Sequence, residues 1–466
     1  MSTAEPFDLV VVGGGPGGYV AALRAAQLNM RVALVEREHL GGVCLNWGCI
    51  PTKVLLHAAD NIRRIRCASD LGIEVDGLRF DLGRMIARSR AVAGQLNGAV
   101  KQLLRKAGVA VLEGTARLVA DGTLEVVRAD GTTTLMGNHV ILATGARPRG
   151  LQQLPFDGER VWSYRDALQP ITVPASLLVV GAGAIGMEFA SFYATLGTHV
   201  TILESQPQVL PEADQDVSRF VLDAFQREGI TVRTGVTLLA GEAHSDGVVA
   251  RIETAAGPES VSASHALVAI GLAGNVEGIG LEHTAVRLRG NEIEADAFGA
   301  TGDPRIFAIG DVTGAPMLAH RASHQAVACV ERIAGLRSGA APNESAMPAC
   351  TYCHPQTASF GLTEQQAARA GRAVKVGRFP LQGNGKAISI GEPSGFVKTL
   401  FDASTGGLLG AHIVGPDATE LIHGFALAAT LESTEEELIE TVFPHPTLSE
   451  AMHESVLAAF GRALHI

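Results

Sequence analysis

Two cysteines, Cys44 and Cys49, lie five positions apart in a short segment near the amino terminus. Residues at that spacing in a regular helix are displaced by roughly 7.5 Å along the axis and by about 140° around it. This displacement exceeds the Cα separation that a disulfide allows, which is at most about 7 Å. The backbone must therefore bend between the two thiols if they are to react with each other, and Gly48 can permit the bend. The pair predicts thiol–disulfide redox chemistry.

Pro51 indicates that a helix begins in this segment, because proline is favoured in the first turn of a helix. Cys49 would then lie close to the amino-terminal end of that helix, where the dipole and the free N–H groups stabilise a thiolate. We therefore expect Cys49 to be the stabilised anion and Cys44 to be the sulfur that exchanges with a substrate. The alternative is a pair of buried cysteines without chemistry, and the cofactor motifs beside the pair argue against it.

A glycine-rich fingerprint precedes the thiols and recurs later in the chain. Each copy has an apolar strand, a Gly-x-Gly-x-x-Gly turn, a helix, a second strand and an acidic residue, with the same spacing from the last glycine to the acid. The residues of the first copy are Gly13, Gly15, Gly18 and Glu36, and those of the second copy are Gly181, Gly183, Gly186 and Glu204. Such glycines permit a pyrophosphate to approach closely, and the carboxylate accepts hydrogen bonds from ribose hydroxyls. Both copies therefore predict a Rossmann βαβ unit.

Two dinucleotide sites in one chain predict that electrons pass between two cofactors. A 2′-phosphate requires cationic partners, whereas a free 2′-hydroxyl is satisfied by a carboxylate. Glu204 is followed by Ser205, Gln206 and Pro207, with no Arg or Lys nearby in the sequence. A nicotinamide cofactor at the second site is therefore predicted to be NAD rather than NADP.

The composition excludes several classes of protein. The length of 466 residues predicts roughly two to four domains, and a formal net charge of −11 argues against binding to nucleic acid. The first residues lack the features of a signal peptide, and no apolar run approaches the roughly 18 residues that a membrane span needs. We therefore expect a cytoplasmic protein with neither a membrane nor a nucleic-acid partner, whose six cysteines do not form a structural disulfide framework.

Other polar and sulfur-containing residues are interpreted as structural. The run Cys350-Thr-Tyr-Cys-His354 matches the attachment pattern of c-type haem, but that chemistry accompanies export, so we predict no haem or metal site there. Cys67 and Cys329 fall on predicted helices and are interpreted as small core residues. The acidic run 435–437 is interpreted as the solvated start of a helix behind a Ser or Thr cap.

Further segments give the chain a resemblance to a known family. They are Ala143-Thr-Gly145, Ala308-Ile-Gly-Asp311, Met317-Leu-Ala-His320 and Pro444-His-Pro-Thr-Leu-Ser-Glu450. With the fingerprints and the thiol segment, they resemble the pyridine nucleotide disulfide oxidoreductases over nearly the whole chain. The resemblance implies an α/β fold with two Rossmann-like dinucleotide-binding domains and an α+β carboxy-terminal dimerisation domain. The implied domains are 1–150 (first part of the FAD-binding domain), 151–272 (NAD-binding domain), 273–345 (central part completing the FAD domain) and 346–466 (dimerisation domain).

The resemblance also assigns the cofactors. It implies that FAD contacts Gly13, Gly15, Gly18, Glu36, Lys53, Thr144, Gly145, Gly310, Asp311, Met317, Ala319 and His320. It implies that NAD contacts Gly181, Gly183, Gly186, Glu204 and Gly271. Asp311 ends a predicted strand, where a carboxylate can accept hydrogen bonds from a ribityl chain. The family further implies that Lys53 pairs with Glu188 near the flavin.

The segment near the carboxyl terminus offers a base for the thiol chemistry. Glu450 follows His445 by five residues, and Pro444 and Pro446 can shape a turn that brings the two side chains together. A carboxylate behind an imidazole fixes its tautomer and stabilises the imidazolium. The alternative is a structural histidine. The resemblance implies that His445 reaches the dithiol of the other subunit of a homodimer.

The function implied by the resemblance is the reoxidation of protein-bound dihydrolipoamide to lipoamide, with NAD as the electron acceptor. The implied partner is a lipoyl-bearing acyltransferase subunit of a 2-oxo acid or acetoin dehydrogenase complex. The alternatives are another NAD(P)H-dependent disulfide reductase of the same family and a redox-idle assembly subunit of such a complex. One departure is that the usual Gly-Arg-Arg-Pro-Asn of the family is replaced by Gly271-Leu-Ala-Gly-Asn275, so we expect the electrostatics at this junction, and with them coenzyme affinity, to differ.

Overall fold

The computed structural model describes residues 5–120, 122–337 and 347–465. The helices are α1 (Pro16–Gln27), α2 (Gly42–Trp47), α3 (Cys49–Arg66), α4 (Leu82–Lys106), α5 (Tyr164–Ala167), α6 (Ala184–Thr195), α7 (Gln215–Arg227), α8 (Ala319–Ile333), α9 (Glu364–Arg369), α10 (Gly385–Ser389), α11 (Ala418–Thr430), α12 (Glu435–Glu440) and α13 (Glu450–Ala459). Short 3-10 turns span Ala68–Leu71, Leu281–His283, Gly310–Thr313 and Leu381–Gly383.

The strands are β1 (Phe7–Val12), β2 (Val32–Glu36), β3 (Ala110–Glu113), β4 (Thr115–Ala120), β5 (Thr123–Arg128), β6 (Gly131–Leu142), β7 (Ala146–Pro148), β8 (Val161–Trp162), β9 (Ser176–Val180), β10 (His199–Leu203), β11 (Thr231–Arg233), β12 (Thr237–His244), β13 (Gly247–Thr254), β14 (Gly257–Ala263), β15 (His265–Val268), β16 (Leu272–Gly274), β17 (Leu288–Arg289), β18 (Glu292–Ile293), β19 (Ile306–Ala308), β20 (Ala349–Thr351), β21 (Thr357–Gly361), β22 (Val374–Pro380), β23 (Phe396–Asp402) and β24 (Leu408–Val414).

The chain forms two compact units. The first unit comprises the described residues of Met1–Leu55, Asp81–Arg149 and Gly271–Pro342. The second unit comprises those of Leu56–Phe80, Gly150–Ile270 and Asn343–Ile466. The bounds of the four segments predicted from the sequence stay predictions.

The first unit contains a parallel sheet with the strand order β3-β2-β1-β6-β19. Alternate residues of β1 enter two cores, because successive side chains of a strand point to opposite faces. Leu9 and Val11 pack in one hydrophobic cluster with residues of α1, α4 and α8, whereas Val10 and Val12 pack in the other. Burial on both faces accounts for the continuous apolar run of β1. Strand β6 continues away from this sheet and pairs with β5 in an antiparallel arrangement.

The second unit repeats this strand order. Its parallel sheet is β11-β10-β9-β15-β8, and the strand before each glycine turn, β1 or β9, is central in its own sheet. Helix α6 follows the glycine turn and is buried over most of its surface. The two Rossmann-like sheets predicted from the repeated fingerprint are therefore present.

The carboxy-terminal part of the second unit is built on an antiparallel sheet with the order β20-β21-β24-β23-β22. Its core includes Phe401 from β23, Phe425 from α11 and Met452 from α13. Helix α12 begins after Thr434, whose hydroxyl accepts a hydrogen bond from a backbone N–H of the first turn and is paired with the Glu437 side chain. The predicted helix start is thus confirmed.

The two remaining cysteines differ in their surroundings. Cys329 is buried on α8, as predicted. The core position predicted for Cys67 is wrong, because its side chain is exposed. Helix α3 ends at Arg66, so Cys67 precedes a 3-10 turn and no longer follows the buried face of the helix.

A buried lysine holds three carboxylates together in the second unit. The Nζ atom of Lys398 on β23 lies 2.8 Å from Asp214 Oδ1 and 2.8 Å from Asp216 Oδ2. It also lies 2.7 Å from Glu364 Oε2 at the start of α9. Only 1% of the Lys398 side chain is exposed. Although burial opposes ionisation of Asp214, its hydrogen bond to Lys398 helps to hold the pKa of Asp214 below its ordinary value. We call these four residues the Lys398 cluster.

Replacing Lys398 by Met should lower the free energy of unfolding by about 3–5 kcal/mol, because the substitution leaves the buried Asp214 carboxylate without its cation. Urea unfolding followed by circular dichroism would measure the change. Asp214 contributes stability above its unfolded pKa, and that contribution is lost as pH falls through its folded pKa. The difference between wild type and variant should therefore shrink below about pH 4.

Lys375→Met is the matched control, because Lys375 is exposed on the neighbouring strand β22. It should change the urea midpoint far less. Equal midpoints for the two variants would contradict the structural importance of the Lys398 cluster.

Candidate active site

The chain bends between the two predicted redox cysteines. Helix α2 ends at Trp47, Gly48 follows with φ −136° and ψ −109°, and the 18-residue helix α3 begins at Cys49. Cys44 lies inside α2. The bend expected at Gly48 is therefore present, and Cys49 is the first residue of a long helix.

The two thiols are neighbours and differ in their electrostatics. A side-chain hydrogen bond to Cys49, together with burial, raises the pKa of the Cys44 thiol. Lys53, one turn into α3, acts in the opposite direction, and the charge of Asp311 raises the pKa further. A hydrogen bond of this kind keeps the proton on Cys44 and favours the negative charge on Cys49.

Helix α4 supports the thiol segment at two points. The guanidinium of Arg90 lies 4.7 Å from the centre of the Trp47 ring and donates to the carbonyl of Asn46. The Ser89 hydroxyl donates to the carbonyl of Pro51 at 3.1 Å. These contacts restrain the chain on both sides of Gly48. Ser89 and Arg90 were not among the residues predicted from the sequence, because no motif distinguishes them from other polar residues of an amphipathic helix.

The first fingerprint forms a tight strand–turn–helix junction. Gly13 has φ +103°, a conformation that other residues rarely adopt. A Cβ atom added to Gly18 would lie 1.8 Å from the carbonyl oxygen of Gly13. The Glu36 carboxylate accepts from the N–H of Gly14 at 2.6 Å and from the N–H of Glu38 at 2.7 Å.

The second fingerprint has the same geometry. Gly181 has φ +105°, and a Cβ atom at Gly186 would lie 2.0 Å from the carbonyl oxygen of Gly181. The Glu204 carboxylate accepts from the N–H of Ala182 at 2.7 Å and from the N–H of Gln206 at 2.8 Å. In both copies, backbone N–H groups hold the acidic side chain at the carboxyl edge of the sheet.

Both junctions fit a dinucleotide. No described side chain caps the amino-terminal end of α1 or of α6. A Cβ atom at Gly183 would meet no described atom within 4 Å, and one at Gly15 would meet only Gly42 Cα, at 3.8 Å. An uncapped helix start with open space before it is a favourable place for a pyrophosphate.

All the residues predicted to contact FAD lie in the first unit. The Thr144 hydroxyl donates to the carbonyl of Asn275 at 2.8 Å, and the Asn275 side chain donates to the carbonyl of Thr144 at 2.8 Å. This exchange fixes the turn that includes Gly145. Asp311 lies in the 3-10 turn Gly310–Thr313, which follows β19. Ala319 and His320 begin α8, two residues after Met317.

Two arginines contact the segment 271–275, where the sequence differs from the one usual in the family. Strand β16 pairs with β7, which ends just before Arg149. Arg147 donates to the carbonyl of Gly274 at 2.8 Å, and Arg149 donates to the carbonyl of Leu272 at 3.3 Å. The guanidinium groups of Arg147 on β7 and of Arg149 just after β7 therefore contact this segment. Neither contact was predicted from the sequence. Gly271, which precedes β16, has φ +110°.

Glu188 lies on α6 in the second unit and is buried. Its Oε1 atom accepts a hydrogen bond from the N–H of Tyr352 at 3.0 Å. This carboxylate therefore also links α6 to the residue that follows β20. The predicted pairing of Glu188 with Lys53 stays a prediction.

His445 and Glu450 form the predicted pair. His445 Nδ1 lies 2.9 Å from Glu450 Oε1, and the other carboxylate oxygen accepts from the N–H of Thr447 at 2.9 Å. Partial burial opposes ionisation of Glu450, but the bonds from Thr447 and His445 hold its pKa below the ordinary value. The imidazole is 78% exposed. Because Nδ1 is engaged, Nε2 is the nitrogen available to a substrate.

The described residues contain neither a metal-binding group of side chains nor a helix suited to cross a membrane. No group of three or more His, Cys, Asp or Glu side chains in the described part of the chain is arranged to hold a metal ion. The thiol of Cys353, in the haem-like run, donates to the carbonyl of Pro355 at 3.2 Å. None of the described helices combines the length and the apolar character that a membrane crossing requires.

Comparison with known proteins agrees with this geometry. Residues 7–326 match the family described as pyridine nucleotide-disulphide oxidoreductase, and residues 347–456 match its dimerisation domain. The chain is 52% identical over 464 residues to the dihydrolipoyl dehydrogenase of Zymomonas mobilis, covering 99% of this chain and 100% of that protein. It is 40% identical over 473 residues to the dihydrolipoyl dehydrogenase of Bacillus subtilis, with coverage of 99% and 100%.

A solved structure is also similar. The crystal structure of LpdA from Mycobacterium tuberculosis has a TM-score of 0.90 and 30% sequence identity, covering 96% of this chain and 98% of that chain. The predicted fold class is confirmed, and FAD and NAD, as predicted, are the cofactors that the family uses. The chain therefore belongs to the pyridine nucleotide-disulphide oxidoreductase family.

Proposed function

We propose that this protein oxidises a protein-bound dihydrolipoyl group to its disulfide and passes two electrons through Cys44 and Cys49 to FAD and then to NAD. The observation that carries the proposal is the bent segment at Gly48, which places the Cys44 thiol of α2 beside the Cys49 thiol at the start of α3. The substrate is taken from the full-length relatives that are named dihydrolipoyl dehydrogenase.

The residues assigned to each cofactor follow the two fingerprints. The first fingerprint, with Lys53, Thr144, Gly145, the turn carrying Asp311 and the start of α8, would hold FAD. The second fingerprint, with Glu204 and Gly271, would hold NAD, and Glu188 would lie near the flavin. Bound FAD supplies a two-electron carrier between the thiols and the nicotinamide.

The protein's own side chains carry out the thiol chemistry. His445, oriented by Glu450, removes a proton from one thiol of the substrate. The resulting thiolate attacks the Cys44 sulfur of the oxidised pair, the Cys44–Cys49 bond breaks, and Cys49 leaves as a thiolate at the amino-terminal end of α3. The second substrate thiol then attacks the first substrate sulfur, which is held in the mixed disulfide with Cys44, and its proton passes to the departing Cys44 sulfur. This step releases the cyclic disulfide and leaves Cys44 reduced.

Two subunits are needed in this proposal. Residues 347–456 match a dimerisation domain, and His445 lies in that segment. We place the His445 imidazole of one copy beside the Cys44–Cys49 pair of the second copy of a homodimer. Its exposure in the single chain, 78%, supports a role toward a second molecule.

The proposed partner is the lipoyl-bearing acyltransferase subunit of a 2-oxo acid or acetoin dehydrogenase complex. The two alternatives from the sequence remain distinguishable by assay. Another disulfide reductase of the family would prefer a different disulfide or NADP, and a redox-idle subunit would turn over no dithiol. The cytoplasmic location expected from the sequence stays a prediction.

Replacing His445 by Gln should reduce dihydrolipoamide-dependent reduction of NAD by roughly 10²–10⁴-fold, because a positioned base is lost. The bound FAD should be retained. Steady-state absorbance of NADH at saturating NAD would measure the rate, and the flavin spectrum after gel filtration would measure retention.

His423→Gln is the matched control, since His423 is an exposed histidine on α11, which belongs to the same carboxy-terminal part of the second unit as His445. It should leave the rate unchanged. A His445→Gln variant that kept the wild-type rate would remove His445 from the base role, and a wild-type enzyme inactive toward dihydrolipoamide would overturn the proposed substrate.

The equivalent geometry of Glu36 and Glu204 allows a reciprocal test of the cofactor assignment. Glu204→Gln should raise the KM for NAD about tenfold, because a charged acceptor of ribose hydroxyls becomes a neutral amide. Retention of FAD should not change. Glu36→Gln should weaken FAD retention while leaving the KM for NAD unchanged in enzyme saturated with FAD.

Each variant serves as the control for the other. Kinetics at varied NAD and ultrafiltration of free FAD give the two readouts. The opposite pattern, with Glu36→Gln affecting NAD alone, would show that the assignment of the two sites is reversed.

A further inference from the structure

Two buried polar side chains on α8 hold the two ends of the turn that presents Asp311. Arg321 and Gln325 lie one helical turn apart, so both project from the same face of α8. They are 6% and 5% exposed, respectively. Buried groups of this kind are costly unless they make hydrogen bonds, and both side chains bond to the turn or to the loop that follows it.

Gln325 holds the start of the turn. Its Oε1 atom accepts a hydrogen bond from the N–H of Gly310 at 2.9 Å, in a buried environment. Gly310 is the residue directly before Asp311, and its Cβ position would be 3.1 Å from the Ala322 side chain on α8. The backbone at the start of the turn is therefore fixed against the helix by both a polar bond and close packing.

Arg321 holds the end of the turn. Its Nη1 atom donates to the carbonyl of Gly314 at 2.9 Å and to the carbonyl of Pro316 at 3.3 Å. Inside the turn, the Thr313 hydroxyl donates to the carbonyl of Gly310 at 2.8 Å. The 3-10 turn is thus held at both ends by α8 and closed by one internal bond.

The charge of Arg321 also acts on Asp311. Burial raises the pKa of Asp311, and the Arg321 guanidinium opposes that rise. A buried carboxylate near an arginine stays ionised to lower pH than one without such a partner. The ionised carboxylate accepts hydrogen bonds only, whereas the protonated acid would also present a donor.

We infer that Arg321 and Gln325 are positioning residues for flavin binding: by holding the two ends of the turn, they fix the place of the Asp311 carboxylate. The inference rests on the proposed assignment of FAD to the first fingerprint and of Asp311 to its ribityl chain. Neither side chain is required to touch the cofactor.

The test compares two substitutions that remove different properties. Gln325→Leu removes the acceptor for the Gly310 N–H and should raise the dissociation constant for FAD about tenfold or more. The midpoint pH at which FAD is released should not move. Arg321→Met should also raise the dissociation constant. In addition, it should move the release midpoint to higher pH, because Asp311 without its guanidinium partner takes up a proton more readily.

Conservative variants separate positioning from general stability. Arg321→Lys keeps the positive charge and should restore the wild-type pH midpoint. Gln325→Glu keeps an acceptor for Gly310 and should bind FAD more tightly than Gln325→Leu at neutral pH. Arg332→Met is the control, because it makes the same chemical change at an exposed position on α8.

The measurements are flavin retention in ultrafiltration across a pH series and circular dichroism to verify folding. Dissociation constants within twofold of wild type for folded Arg321→Met and Gln325→Leu would overturn the inference, as would an equal pH shift in Arg332→Met. If Arg321→Met does not fold, Gln325→Asn, whose acceptor arm is one methylene shorter, must still weaken FAD binding.

The measurements distinguish a failure of the positioning role from a failure of the proposed function. A wild-type protein that binds no FAD, or whose FAD binding is unaffected by Glu36→Gln, would defeat the cofactor assignment itself. Normal flavin binding by wild type, together with undisturbed binding by the α8 variants, would defeat only the positioning role of Arg321 and Gln325.

Discussion

The break in the helix at Gly48 is the constraint on which the proposed chemistry depends. If α2 and α3 formed one continuous helix, the sulfurs of Cys44 and Cys49 would point in different directions and could not form a disulfide. The break brings the sulfurs together and also creates a new helix start at Cys49. One backbone feature therefore provides both the contact between the thiols and the local field that distinguishes them.

The two glycine-rich fingerprints hold their acidic residues in the same way. In each, a carboxylate at the end of the second strand is anchored by two backbone N–H groups, one from the glycine turn and one just beyond the acid. These backbone bonds restrict the orientation of Glu36 and Glu204, and restriction of this kind lowers the ordering cost of binding a ligand. The two parallel sheets also have the same strand order, so the similarity is not confined to the glycine turns.

The sequence predicted the features that depend on neighbouring residues. The glycine turns, the bend at Gly48 and the pairing of His445 with Glu450 are encoded within a few positions or in one fixed spacing, so local chemistry is sufficient to find them. Arg321 could not be found in this way, because an amphipathic helix does not show which of its polar residues faces inward. Lys398 was missed for a related reason: its partner Asp214 is 184 positions away, and no periodicity links the two.

The Lys398 cluster also limits how the chain can be recombined. One ammonium group on the carboxy-terminal sheet neutralises acids at the start of α7 and of α9, so three distant stretches of sequence must be compatible with one another. A chimaera that imports the carboxy-terminal sheet from a relative lacking this lysine would leave the buried carboxylate of Asp214 without its cation. Exchange of modules would therefore succeed only between parents that share the cluster or lack it entirely.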